Sequence, residues 1–238
     1  MRNAGAMDLS DGQDPSSRVS LFKDLKITKI CLEFERQARR EGYQFVAGLD
    51  EVGRGCLAGP VVAAACILDP AKRFPRGLDD SKKLTPEKRE DIAAKLKKAC
   101  IAYSIGQIEA DEIDRINILE ATKQAMLQAL ERLATQADFL LIDALYLKQS
   151  PLPQRAIIKG DSISASIAAA SVLAKTYRDA LMCEHHERYP VYGFDSHKGY
   201  AAPIHWKALN EHGPCEIHRM SFQGVAPRQH DEQPSFLI

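Results

Sequence analysis

Three apolar stretches of this sequence end in acids: "FVAGLDE" closes on Asp50 and Glu51, "FLLID" on Asp143, and "AIIKGD" on Asp161. When helices cover a sheet, functional side chains gather beyond the strand ends, where connections diverge. Four carboxylates collected there would repel one another unless a cation lay between them. Hard divalent ions take oxygen ligands and commonly keep only one or two protein carboxylates each. The set therefore suits one or two Mg2+ or Mn2+ ions working on phosphate oxygens, an arrangement that assists displacement at phosphorus. Each acid also has a plainer reading. Asp161 precedes a long helix and could be its N-cap. Asp143 could be a turn residue at a strand end. Asp50 and Glu51 could be surface charge on a turn, with Gly53, Arg54 and Gly55 as its flexible, cationic part. Asp79 and Asp80 sit in a polar, Lys-rich loop and read as turn and capping residues.

The elements that would position the acids follow from apolar spacing. Residues 21–41 carry Ile27, Ile30, Cys31 and Phe34 at helical intervals, which predicts an amphipathic first helix. "QFVAGLD" and "AGPVVAAACIL" read as strands, with Pro60 near the start of the second, where a missing N–H is tolerated. "LTPEKREDIAAKLKKA" begins as a helix should, with Thr85 as N-cap, Pro86 at the first helical position and Glu87 facing the dipole. "CIAYSIGQI" is a third strand, rich in β-branched and aromatic residues. "NILEATKQAMLQALERLA" is a helix, and "DFLLIDA" and "RAIIKGD" are the fourth and fifth strands. Ile163, Ile167, Ala170, Ala174, Tyr177 and Leu181 then step by fours and threes along one buried stripe of a long helix. The small residues of that stripe would let it lie close on a sheet. "PVYGFDSHKGY" reads as a loop and "APIHWKALNEHG" as a short last helix stopped by Gly213. The order predicts an α/β fold, a mixed five-stranded sheet flanked by helices. One domain is expected over residues 21–226, with a C-terminal helical extension, between a disordered tail at 1–20 and a flexible one at 227–238.

The chain has 238 residues, 45% hydrophobic and 27% charged, the composition of an ordinary globular protein. Lys+Arg and Asp+Glu are both 32, so net charge exerts no overall pull toward nucleic acid. Between Lys72 and Lys98, however, ten basic residues face five acidic ones. That excess is either a solvated helix face or a phosphate-contacting surface. Six scattered cysteines with no C-x-x-C pair argue for reduced thiols in a cytoplasmic protein, against disulfides or a zinc site. No apolar run is long enough to span a membrane, and the polar first twenty residues lack a signal-peptide core.

Five blocks then resemble a known family: "GLDEVGRGCLAGPVVAAACIL", "LDDSKKLTPEKRE", "IIKGDSISASIAAASVLAKTYRDALM", "YPVYGFDSHKGYAAPIHWKAL" and "HGPCEIHRMSFQGV". Running in order from about Phe45 to Val225, they are similar to bacterial ribonuclease HII. The resemblance implies a ribonuclease H-like fold with a C-terminal helical extension. It also implies metal-dependent hydrolysis of RNA in RNA–DNA hybrids, and incision at single ribonucleotides embedded in duplex DNA, leaving 3′-hydroxyl and 5′-phosphate ends. By motif position, the family's acidic tetrad falls on Asp50, Glu51, Asp143 and Asp161, with Mg2+ or Mn2+ as the cofactor. Gly53, Arg54 and Gly55 match its reader of the ribose 2′-OH, and Tyr200 its tyrosine that packs on the sugar next to the cut; otherwise Tyr200 is an ordinary loop aromatic.

Ser81, Lys82 and Lys83 in "DSKKLT" are expected to contact substrate phosphate, positioning the duplex and weakening as salt rises. His197 would either join Lys198 on a phosphate or cap its own loop; Lys175 and Arg178 lie on the long helix beginning at the site, where they could meet phosphate, or Arg178 and Asp179 could instead pair with neighbours. Two residues depart from the family pattern. Cys56 stands where Pro is commoner, which suggests a redox-sensitive thiol near the metal. Ala144 replaces a usual Gly after the third acid, which argues against a positive φ there. The partners implied are RNA–DNA hybrid or ribonucleotide-containing duplex, acted on by a monomer without a membrane. A sliding-clamp partner would need a docking motif, for which "QPSFLI" is only a vague match. Two rivals remain: a relative that binds hybrids without cutting, and a DNA-directed nuclease such as a resolvase, which would need no 2′-OH reader.

Overall fold

The first acidic strand is the centre of the sheet. β1 (Val46–Val52) pairs antiparallel with β2 (Val61–Ile67), and β2 antiparallel with β3 (Ala102–Ile108). On its other side β1 runs parallel to β4 (Phe139–Asp143), and β4 parallel to β5 (Gln154–Ile157). The order is β3-β2-β1-β4-β5, the mixed five-stranded sheet expected from the sequence. This structure, a computed structural model, describes residues 27–226. The tails expected at 1–20 and 227–238, "QPSFLI" included, lie outside the described residues.

Helices bury both faces, which is why the central strands read as continuous apolar runs and not as alternation. On one face Ala47, Leu49, Ala63 and Ala65 meet α4 (Ile118–Glu131) through Ala121, Ala125 and Met126. On the other, Val62, Ala64 and Cys66 meet α2 (Pro86–Ala99) through Ile92 and Leu96, and α5 (Ala165–Arg188) through Ala165, Ala168 and Ala169. The start of α2 is as predicted: the Thr85 hydroxyl accepts from the Lys88 N–H, and Pro86 is the first helical residue. Among the described residues, no helix is long and apolar enough to cross a membrane.

Several expectations need correction. The first helix, α1 (Glu33–Arg40), begins later than the spacing suggested. Ile27, Ile30 and Cys31 precede it, and the backbone of Cys31 is bonded to Ile163 and Ala165 at the entrance of α5. A short α3 (Ala110–Ile116) had no apolar stripe long enough to announce it, and Asn117 at φ 70° turns the chain from it into α4. In α5, Tyr177 leaves the buried stripe and is 42% exposed, while Arg178 is fully buried. Ala144 does adopt a positive φ, 48°, so the absence of Gly did not prevent the left-handed turn. Its N–H is held by the Ile157 carbonyl at 3.1 Å. Past α5, α6 (Phe194–His197) and α7 (Pro203–His212) form the C-terminal extension, packed on Leu57, Ala58 and Met182.

One contact fixes how α5 lies on β1. A Cβ added at Gly48 would fall 2.1 Å from the carbonyl carbon of Ser166 and 2.4 Å from the nitrogen of Ile167. The helix backbone rests on the strand backbone. Gly48→Ala should therefore destabilise the protein by about 3 kcal/mol, the upper end for overpacking. A urea unfolding curve with an unchanged midpoint would refute this close approach.

Candidate active site

Strand geometry explains how the acids meet. Side chains alternate along β1, so Asp50 faces α5 as Gly48 does, and Glu51 points to the opposite face at the strand's end. Leu49 pairs with Ile142 across the parallel β1–β4 ladder, so Asp143 lies one step further in the same register as Asp50. Asp161 comes from a single 3-10 turn, Gly160–Ser162, just before α5. The turn is tied to β4 because the Gly160 N–H donates to Asp143 Oδ1 at 2.7 Å. Asp161 is not the helix cap: that place belongs to Ser164, whose hydroxyl accepts from the Ile167 N–H. All four acids therefore lie close together at one end of the sheet, where β1 and β4 finish.

Burial and mutual repulsion mark these carboxyls. Asp50 is 5% exposed and its pKa is pushed well above the ordinary 3.8, first by burial and then by Glu51 and Asp143; a hydrogen bond from Ser171 opposes the shift. Glu51 is raised by burial and by Asp143, against the pull of Arg54, whose guanidinium lies 3.2 Å from Oε1. Asp143 is raised by burial and by Asp161, against the Gly160 N–H and Lys82. Lys82 Nζ sits 3.4 Å from Asp161 Oδ2. Burial works against its charge, but Asp161, Asp80 and Asp50 outweigh that and raise its pKa.

These residues fit a hard divalent cation. The donors are all carboxylate oxygens, their charges oppose one another, and Glu51 Oε2 is buried with no hydrogen-bond partner. Among the described residues, no three Cys, His, Asp or Glu side chains close into a ready-made coordination sphere.

The "GRG" turn beside the acids is built from behind by two arginines that are 0% exposed. Arg178 donates to the carbonyls of Pro60 (2.9 Å), Lys198 (2.8 Å) and Ala58 (3.1 Å). Arg219 donates twice to Gly59 (3.0 and 2.8 Å) and once to Arg54 (2.9 Å). Burial lowers Arg219 to about 10, so it stays charged at neutral pH. The Leu57 N–H bonds to Gly199 and the Arg219 N–H to Leu57, so the turn, the "HKGY" loop and "HRMSF" form one unit. Sequence reasoning left Arg178 open between phosphate contact and pairing with neighbours, and assigned Arg219 no role. The only signal was charge inside apolar blocks, which does not reveal a partner made of backbone.

Within this unit Arg54 and Gly55 are exposed, but Gly53 is buried. Its φ is +90°, and a Cβ there would fall 2.3 Å from Arg178 Nε, so Gly53 is needed for packing and does not itself face outward. Tyr200 is 41% exposed, with Lys175 Nζ 5.7 Å from its ring centre. Ser81 is a correction: it is 4% exposed and its hydroxyl bonds Ser171 at 2.9 Å, inside the protein, so it supports the residue beside Asp50 and does not meet phosphate. Lys83 is exposed and 3.4 Å from Asp79. His197 caps its loop, bonding the Tyr192 carbonyl and accepting from the Gly199 N–H. Cys56 is fully buried and burial raises its pKa, which makes it an inert thiol, contrary to the redox expectation.

Two buried histidines brace Tyr200 from below. The Cys215 N–H donates to His218 Nδ1 at 2.9 Å, so the proton of neutral His218 is on Nε2. That nitrogen meets His205 Nε2 at 3.0 Å, and His205 Nδ1 donates to the Tyr200 carbonyl at 2.8 Å. Burial, then neighbouring His205, depresses His218 to about 4.

A family model described as ribonuclease HII matches residues 47–225. A ribonuclease HII of Chlamydia caviae is 56% identical over 193 residues, 81% of this chain and 90% of the relative. One from Syntrophobacter fumaroxidans is 53% identical over 194 residues, 82% of this chain and 83% of its own. The solved structure of ribonuclease H2 from Pyrococcus horikoshii OT3 superposes with a TM-score of 0.63 at 27% identity, covering 76% of this chain and 94% of that one.

The two kinds of pKa shift act on stability with opposite signs. Asp50 is raised in the folded state, so in metal-free protein it costs stability at neutral pH, a penalty that fades on acidification and is gone below its unfolded pKa. Asp50→Asn should therefore stabilise the protein in EDTA at pH 7, by on the order of 1 kcal/mol; an unchanged or lower melting temperature would contradict the repulsion. His218 is depressed, so its contribution is complete above about pH 6.5 and is lost as pH falls toward about 4. His218→Gln should flatten that limb of a stability-against-pH curve, and an identical limb would show that the histidine pair is not neutral.

Proposed function

The chain belongs to the ribonuclease HII family, endoribonucleases of the ribonuclease H type that act on RNA–DNA hybrids; from that premise we propose that it is a divalent-metal-dependent enzyme that also incises 5′ to single ribonucleotides embedded in duplex DNA, leaving 3′-hydroxyl and 5′-phosphate ends. The observation that carries this is a buried carboxylate cluster with an unpartnered Glu51 oxygen, placed against a turn whose exposed members are Arg54 and Gly55.

Asp50, Glu51 and Asp143 would hold Mg2+ or Mn2+, with Asp161 completing the set. When bound, the cation supplies charge stabilisation at phosphate and a nucleophile available at neutral pH. The chain's own residues do the rest. Ser171 orients Asp50, and the Gly160 N–H orients Asp143. Gly55 has open space where a side chain would be, so the backbone of the turn lies open to a sugar. A 2′-OH is the group that tells ribose from deoxyribose there. Tyr200 offers an exposed ring to the neighbouring sugar, held in place through its carbonyl by His205. Lys82 and Lys83, both with largely exposed side chains, reach for duplex phosphates.

Two labelled duplexes test the proposal, one with a single ribonucleotide and an all-DNA control. Cutting is expected only in the first, only with Mg2+ or Mn2+, and on its 5′ side. Equal cutting of both would transfer the protein to the DNA-directed nucleases. Asp50→Asn should reduce turnover by about a thousandfold or more, roughly 4 kcal/mol on the barrier, while hybrid binding persists; that pairing also separates a cutter from a mere binder. Lys82→Ala should lower the salt dependence of hybrid binding by about one phosphate contact.

A further inference from the structure

The most buried carboxylate among the described acids does not belong to the cluster. Glu35, on α1, is 1% exposed, against 5% for Asp50 and 6% for Asp161. Its Oε1 accepts three hydrogen bonds from the first turn of α5: from the Ser164 hydroxyl (2.7 Å), the Ser166 N–H (2.9 Å) and the Ser166 hydroxyl (2.7 Å). Its Oε2 is buried without a partner. The N-terminus of a 24-residue helix, with its positive dipole end, faces this carboxyl group.

Capping does not explain the arrangement. The helix already has its cap, since the Ser164 hydroxyl accepts from the Ile167 N–H. Glu35 fixes the capping residue itself. The Ser164 N–H bonds the Gly160 carbonyl at 2.8 Å, and the Ile163 N–H bonds the same carbonyl at 3.1 Å, closing the turn that carries Asp161. From the other side, the Gly160 N–H is anchored on Asp143. The turn is thus strung between a site acid and Glu35. The backbone of Cys31, just before α1, is stitched to the same entrance through Ile163 and Ala165.

We propose that Glu35 is a positioning residue, which locks the first turn of α5 and so holds Asp161 in register with Asp50 and Asp143. It touches neither substrate nor cation. The inference rests on the reading of those acids as the metal-holding set.

Glu35→Ala and Glu35→Gln are compared at a temperature where circular dichroism shows both folded. Glu35→Ala should lower kcat about tenfold or more, the usual cost of losing a residue that supports a metal ligand. The KM for hybrid should stay within about twofold, because the sugar and phosphate contacts lie elsewhere. Mn2+ binding without substrate, read by titration calorimetry, should weaken by a factor similar to the loss in kcat. Glu35→Gln keeps an acceptor oxygen and should restore most of both. If Glu35 merely braces α1, Glu35→Ala lowers the urea midpoint but retains wild-type kcat and Mn2+ affinity, and the proposal is overturned. Should Glu35→Ala not fold, the double variant Ser164→Ala/Ser166→Ala removes both hydroxyl donors and leaves α1 intact; wild-type kcat and Mn2+ affinity there overturn it equally. Asp50→Asn run in parallel separates the two levels. Retained Mn2+ affinity and turnover in that variant would sink the metal reading itself, whereas losses in Asp50→Asn alone would sink only the role of Glu35.

Discussion

The contact of α5 with β1 at Gly48 is the constraint on which the site depends. Because no side chain separates the two backbones, the helix has one possible height above the strand, and its small residues are needed to reach it. Everything the helix carries is then placed. Asp161 enters just before its first turn, Ser171 arrives beside Asp50, and Arg178, two turns beyond Ser171, arrives under the "GRG" turn. A single helix therefore sets the distance between the acids and the turn beside them. Neither could drift without lifting the helix off the sheet.

That precision is maintained against local cost. The carboxylates are packed where burial and like charge both resist ionisation. Three of the four non-glycine residues with positive φ (Ala144, Lys159 and Lys198) adjoin site segments, following Asp143, preceding Gly160 and preceding the Gly199–Tyr200 pair. Strained backbone persists where surrounding structure over-determines it. Here the surrounding structure is identifiable: the Ile157 carbonyl holds Ala144, and Arg178 holds the Lys198 carbonyl.

Much of this was legible in the sequence, and the exceptions have physical causes. Strands β1 to β5, helices α2, α4 and α7 and the convergence of the four acids followed from apolar runs, Thr85–Pro86 and acids at strand ends. Spacing could not distinguish Asp161 as a cap from Asp161 as a site acid, because both stand before a helix; the hydroxyl of Ser164 takes the capping place and removes the first reading. Ser81 was misplaced, and the partners of Arg178 stayed hidden, for a shared reason. Polar residues were assumed to look outward, yet a serine can bond another buried serine, and an arginine can be satisfied by three carbonyls. Glu35 was invisible for the same reason, since its partners lie about 130 residues away in the chain.

The two interior arginines carry one more implication. Lysines on the surface are screened by salt, and their hold on a duplex fades as ionic strength rises, but charges shut away from solvent are screened far less. Arg178 and Arg219 spend their hydrogen bonds on shaping the loop, so its form does not depend on the ionic medium. The molecule thus carries two populations of charge, one open to the medium and one sealed into the scaffold. In concentrated salt the exposed Lys82–Asp161 and Lys83–Asp79 pairs would loosen, while the loop held by Arg178 and Arg219 would keep its shape.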